Sequence, residues 1–128
     1  MNDVAPVTRT ISQEQLRAYA DASGDHNPIH VDEEYARTTP FGGTIAHGML
    51  VAALIGEMMY AAHDAAWSEN GQMRIRFKAP TRPGDTVTAS ADPPASRDGG
   101  RLEYAVRCTD QRGDVLIEGR ASVTVGDR

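Results

Sequence analysis

The 128-residue sequence predicts an α+β domain, with a curved antiparallel sheet of about five strands wrapped around one long buried helix. Three observations predict it. The stretch from about His47 to Ala62 is apolar on almost every face, and such a helix must be covered by the rest of the protein. From Met73 onward the apolar period changes to two, as strands with one buried face require. Tight turns rich in glycine and aspartate separate those runs, as hairpins do.

The length suits one domain, residues 1–128, and can bury a core without disulfides or a structural metal. Net charge is −5, and acidic and basic residues interleave without a long basic run. Binding to nucleic acid or to an anionic membrane is therefore not expected. Cys108 is the single cysteine, so neither an intramolecular disulfide nor a thiolate metal cage can form, which fits a reducing cytoplasm. It lies in the alternating run Leu102–Cys108 and reads as a core residue. The N-terminal Met1–Pro6 has no basic flank followed by an apolar run, so no signal peptide is expected. The least polar stretch, Ile45 to Ala62, carries His47 and Glu57 and reads as a buried helix rather than a membrane span.

The elements follow in order. Val7 to Thr10 can form a first strand. Ser12 and Gln15 make a capping box for the first helix, and Ile11 and Leu16 sit where a hydrophobic staple places them. Leu16, Tyr19 and Ala20 give its apolar stripe, and Ser23-Gly24 should end it. Pro28 pushes Asn27 out of the helical region, so Asp25 to His30 should be extended or turning. A short helix is expected from Asp32 to Arg37, with acidic residues in its first turn, and Pro40 to Gly43 is a loop. After the buried helix come the alternating runs Met73–Ala79, Val87–Ala91, Leu102–Cys108 and Val115–Val125. They are linked by turns at Pro80–Asp85, at the proline-rich Asp92–Pro94, at Arg97–Gly100 and at Gln111–Asp114.

The chemistry concentrates between Tyr19 and Leu50. The run Tyr19-Ala-Asp-Ala-Ser-Gly-Asp-His-Asn-Pro-Ile-His30, followed by Phe41-Gly-Gly-Thr-Ile-Ala-His-Gly-Met49, resembles the hydratase-2 motif of MaoC-like (R)-specific enoyl-CoA hydratases. Phe77-Lys-Ala-Pro-Thr-Arg-Pro-Gly-Asp85 resembles a later strand-and-turn pattern of the same family. The resemblance implies a hot-dog fold and a homodimer whose sheets join edge to edge. It also implies an acyl-CoA (or acyl carrier protein) thioester as substrate, with no cofactor beyond that carrier. It makes Asp25 and His30 the catalytic pair and the Gly48 N–H the oxyanion donor.

The residue types suit that chemistry in their own right. Hydrating an α,β-unsaturated thioester needs an activated water, a proton for Cα and a donor for the enolate oxygen. An Asp and a His on one restrained segment can hold a water between them, and Pro28 keeps the two in register. Gly48 opens the buried helix, where unpaired N–H groups and the positive dipole end meet and a missing Cβ allows close approach. The working assignment has His30 take the proton from water and Asp25 supply the proton at Cα.

Around this pair, Asn27 is expected to hold a neighbour by hydrogen bonds or to shape the loop. His47 is expected to pack at the helix start beside the site, and Met49 to line the acyl pocket or belong to the core. Arg76 and Lys78, with Arg74 and Arg82, are candidate docks for coenzyme A phosphates, against their reading as a solvated strand face. His26 and His63 are expected to face solvent. No His-x-x-x-His or His-Glu-x-x-His pair on a helix supports a metal. Glu57, a lone charge in the apolar helix, is expected to be ion-paired or partly exposed. Two rival readings remain: a hot-dog acyl-CoA thioesterase using Glu57, or a non-catalytic acyl-thioester-binding subunit.

Overall fold

A computed structural model describes residues 4–126; residues 1–3, part of the stretch read as carrying no leader, and 127–128 lie outside the description. The chain runs β1 (Val7–Thr10), α1 (Gln13–Ser23), α2 (Pro28–Val31), α3 (Glu33–Arg37), α4 (Gly48–His63), α5 (Ala65–Asn70), β2 (Gln72–Phe77), β3 (Thr86–Ala91), β4 (Ala95–Arg97), β5 (Arg101–Thr109) and β6 (Val115–Thr124). The strands form one antiparallel sheet in the order β1-β3-β5-β6-β2, with β4 paired to β5 beside that path. Helix α4 packs on β1, β3, β5 and β6. This is the hot-dog arrangement, open at its edges, with six strands where about five were expected; the extra strand is the three-residue β4 after Asp92–Pro94.

Local sequence accounts for the frame that positions the site. Ser12 caps α1 by accepting from the Gln15 N–H at 3.1 Å, and the Gln15 side chain accepts from the Ser12 N–H at 3.0 Å. Gly24 ends the helix in the left-handed conformation at φ 82°. Strands β3 and β5 alternate as expected, burying Val87, Ala89, Leu102, Tyr104, Val106 and Cys108 against Val51, Ile55, Met58 and Met59 of α4. Burial pushes the Cys108 thiol up to about 12. Among the described residues, no helix is long and apolar enough to cross a membrane.

The turn expected at Pro28 is one turn of helix: Pro28 occupies the first helical position, where its missing N–H costs nothing, and Asn27 stays outside the helical region as its cap. Three expectations are corrected. Helix α4 is not wrapped all round, because Met49, Ala53, Glu57 and Tyr60 recur at helical spacing as an exposed stripe. His63 does not face solvent; it is buried and bonded by its Nε2 to the Tyr104 hydroxyl at 2.7 Å. The apolar side of β2 is not buried either, and Phe77 remains 53% exposed. β2 is an edge strand, with β6 as its one neighbour in the sheet order.

Candidate active site

The site lies at the N-terminal end of α4, where three stretches of chain are tied together. Asn27 caps α2 by accepting the Ile29 N–H at 3.0 Å, and this turn carries His30. The following loop is zipped to its neighbours on both sides: Ile45 N–H donates to the Ile29 carbonyl at 3.1 Å and Ala46 N–H to the Thr81 carbonyl at 2.7 Å. Gln13, at the start of α1, donates to the His30 carbonyl at 2.9 Å and accepts from the Thr44 hydroxyl at 2.6 Å. The backbone on either side of His30 is thus held by two segments distant in sequence, the start of α1 and the loop before α4.

These restraints determine what the His30 ring can do. Its Nδ1 lies 2.8 Å from the Ile45 carbonyl, which can only accept, so Nδ1 carries the hydrogen and Nε2 keeps a free lone pair. That Nε2 stands 3.9 Å from the Asp25 carboxylate. The gap is too long for a direct hydrogen bond and leaves both groups available to a third molecule. Asp25 is held by its own turn, accepting the Asn27 N–H at 3.3 Å and donating its N–H to Ser23 Oγ at 3.1 Å. Its side chain is about half exposed, while that of His30 is mostly buried.

His47 lies behind the pair as the N-cap of α4, only 2% exposed. Its Nε2 is 3.1 Å from the Asp25 carbonyl and must donate. Its ring stacks on His30 with centroids 3.8 Å apart, and Tyr19 packs on it at 4.7 Å. Burial lowers its pKa, opposed by the bond to the Asp25 backbone, and the nearby His30 lowers it further. The position at a helix N-terminus also disfavours a cation. His47 is therefore a neutral ring with a fixed tautomer, and its Nδ1 is buried without a hydrogen-bond partner among the described residues.

Asp25, His30 and His47 each bring a ligand-capable atom within 4.8 Å of the others. The ring geometry does not suit a shared cation. Imidazole lone pairs lie in the ring planes, and two rings stacked at 3.8 Å with 26° between planes aim past any ion held at about 2 Å. The arrangement suits an acid–base pair backed by a neutral ring.

Beside the pair opens a largely apolar cavity of about 360 Å³, whose walls include His30, Phe41, Gly48, Val51, Phe77 and Ile117. Among the described residues the Gly48 N–H has no protein acceptor, as expected for a first helical position. A Cβ at Gly48 would lie 2.7 Å from the Phe77 ring, so glycine is what allows the ring to sit over the helix start.

The remaining sequence candidates divide. Lys78 lines the same cavity, in an ion pair with Glu118 at 3.7 Å. Arg76 does not reach it; with Arg74, Arg107 and Arg120 it lines a separate cavity of about 440 Å³. Strand alternation puts its side chain on the other side of β2 from Phe77. Met49 is 58% exposed, and Asn27 acts as a helix cap. Glu57 is ion-paired with Arg9 and half exposed. Gln13, Thr44 and the Ile45 carbonyl were not legible as site residues, because nothing in a sequence marks which distant carbonyl a histidine will bond.

A hot-dog domain with an Asp–His pair and a free helix-terminal amide at one apolar cleft has the architecture of enzymes acting on acyl thioesters. The comparisons narrow this class. Residues 2–111 match the family model described as MaoC like domain, and the chain belongs to that family. It is 38% identical to an (R)-specific enoyl-CoA hydratase of Rhodospirillum rubrum, over 97% of this chain and 86% of that protein. It is 34% identical to a 3-hydroxybutyryl-CoA dehydratase of Methylorubrum extorquens, over 91% of this chain and 74% of that one. The unliganded R-hydratase PhaJ1 from Pseudomonas aeruginosa superposes with a TM-score of 0.85 at 29% identity, covering 100% of this chain and 83% of that one.

Proposed function

We propose that the protein is an enoyl-thioester hydratase and 3-hydroxyacyl-thioester dehydratase, adding water reversibly to a trans-2-enoyl-CoA to give an (R)-3-hydroxyacyl-CoA. The observation that carries this reading is the free His30 Nε2, facing Asp25 across 3.9 Å at the edge of the cleft that Gly48 lines. In the hydration direction His30 Nε2 takes a proton from water as its oxygen bonds to Cβ. The electron pair of the double bond moves toward the thioester oxygen, where the Gly48 N–H and the α4 dipole stabilise the enolate. His30 passes that proton to the Asp25 carboxylate, which delivers it to Cα. One water is consumed, one C–O and one C–H bond form, and the step balances with no cofactor.

His47 acts as a positioning residue, because its N–H anchors the Asp25 backbone while its ring supports His30. The (R) outcome is supported by the named activity of the Rhodospirillum relative. A homodimer is supported by the free edge of β2 and by the exposed Met73 and Phe77, which a second copy pairing there would cover. A reducing cytoplasm suits the buried Cys108 thiol.

The test is loss of the enoyl-thioester absorbance with crotonyl-CoA. The wild type should bleach the band, and Asp25→Asn and His30→Ala should each slow this by about 10²- to 10⁴-fold while folding normally. Release of free thiol with the double bond intact would overturn the reading.

A further inference from the structure

A second cavity of about 360 Å³ lies across a rim from the reaction cleft. Neighbouring residues line the two: Phe41 and Thr81 face the cleft, while Gly42 and Arg82 face the second cavity. Its cations are Arg37 and Arg82, and neither guanidinium has an ion-pair or hydrogen-bond partner among the described residues. By contrast, Arg9, Arg17, Arg97, Arg107 and Arg112 are all engaged by carboxylates. The one carboxylate lining the cavity, Glu33, is held by Arg17 at 3.2 Å.

Arg82 is only partly exposed and is presented by a fixed turn. Its N–H donates to Asp85 Oδ2 at 2.9 Å, and its carbonyl accepts the Asp85 N–H at 3.0 Å. Asp85 is buried and has its own cation in Arg112, at 3.6 Å. The Arg82 guanidinium stands 3.9 Å from where a Cβ on Gly43 would be, which sets it against the glycine loop. The N–H groups of Gly43 and Thr44 in that loop have no protein acceptor among the described residues. Two guanidinium groups without counter-ions beside two free amides make a seat for an anion with several acceptor oxygens, such as a phosphate.

We propose that this cavity binds the phosphate end of a phosphopantetheine arm whose thioester occupies the His30–Gly48 cleft. The assignment rests on the thioester reading above and adds to it the group by which the carrier is recognised. A phosphate there is held over the rim from the reaction while the pantetheine crosses between Phe41 and Thr81. The outer-face arginines are the poorer seat, because Glu118 lies among them and Asp92 already engages Arg107. They serve as the control.

The experiment compares crotonyl-CoA, crotonyl-phosphopantetheine and crotonyl-pantetheine as substrates of wild type, Arg37→Gln, Arg82→Gln and the control Arg74→Gln. Arg82→Gln should raise KM about tenfold or more for the phosphorylated substrates, leave crotonyl-pantetheine unchanged, and be partly rescued by Arg82→Lys. A rise for CoA and phosphopantetheine alike supports a seat for the phosphate common to coenzyme A and carrier proteins. A rise for CoA alone would overturn the proposal, because the seat would then read the nucleotide phosphates and not that of the arm. Equal loss on crotonyl-pantetheine, no change, or a larger effect from Arg74→Gln would each overturn the proposal. If the wild type hydrates none of the three, the thioester reading itself has failed. Calorimetric titration with coenzyme A then judges the seat alone: weaker binding by Arg82→Gln upholds it, and equal or absent binding overturns it.

Discussion

Helix α4 carries a buried histidine at each end, His47 as its N-cap and His63 as its last residue. Burial lowers the pKa of both, so each is held neutral in the fold. At the C-terminal end, His63 meets the Tyr104 hydroxyl at 2.7 Å inside the core, a closed pair. The helix dipole favours a cation there, yet the cost of desolvation outweighs it. At the N-terminal end, His47 holds the Asp25 carbonyl, stacks on His30 and leaves Nδ1 without a partner among the described residues, next to an open cleft. The same side chain on the same helix is a core clamp at one end and part of a chemical site at the other. What differs is the chain brought alongside: a central strand in one case, a polar turn with a half-exposed carboxylate in the other.

Substitution at the two ends should separate activity from stability. His47→Phe keeps a ring against His30 and removes the N–H that anchors Asp25. We expect kcat with crotonyl-CoA to fall about 10²-fold with KM nearly unchanged. A loss confined to melting temperature would make His47 merely structural. His63→Phe should do the reverse, lowering the melting temperature while kcat stays within about twofold, since the site lies at the far end of the helix.

A smaller effect should come from Tyr104→Phe, which leaves the His63 Nε2 buried without its partner. Denaturant unfolding should report a loss of about 1–3 kcal/mol, with kcat unchanged. The smallest is the response to pH. Both histidines have folded-state pKa values below 6.5, so between those values and 6.5 the unfolded chain binds protons that the folded chain does not. Their contribution is complete above pH 6.5 and should be lost as pH falls toward the depressed values. Melts across that range should show this slope in the wild type and a shallower one in His63→Phe. An unchanged slope would place the proton uptake elsewhere.

Much of the fold was legible because it rests on local chemistry. The Ser12–Gln15 box, the Gly24 stop, the apolar run of α4 and the period-two alternation of β3 and β5 each follow from neighbours in sequence. The misreadings concern relations between distant segments. The exposed apolar side of β2 follows from its place at the sheet edge, and alternation alone does not say which strand lies at an edge. The burial of His63, expected to face solvent, depends on Tyr104, which lies 41 residues away. Arg76 alternates correctly with Ile75 and Phe77, yet that alternation carries it away from the cleft.

By itself, then, the sequence determined the elements, their order and the residue types gathered near the start of α4, because periodicity, capping and turn chemistry act over a few residues. It also placed Asp25 and His30 on one short segment, with Pro28 between them restraining the backbone. Only the tertiary structure decided which nitrogen of His30 is free, since that depends on the Ile45 carbonyl lying 2.8 Å from the other. Only it left Arg37 and Arg82 without counter-ions among the described residues, beside a glycine loop, because pairing of charges depends on which carboxylates the fold brings within reach.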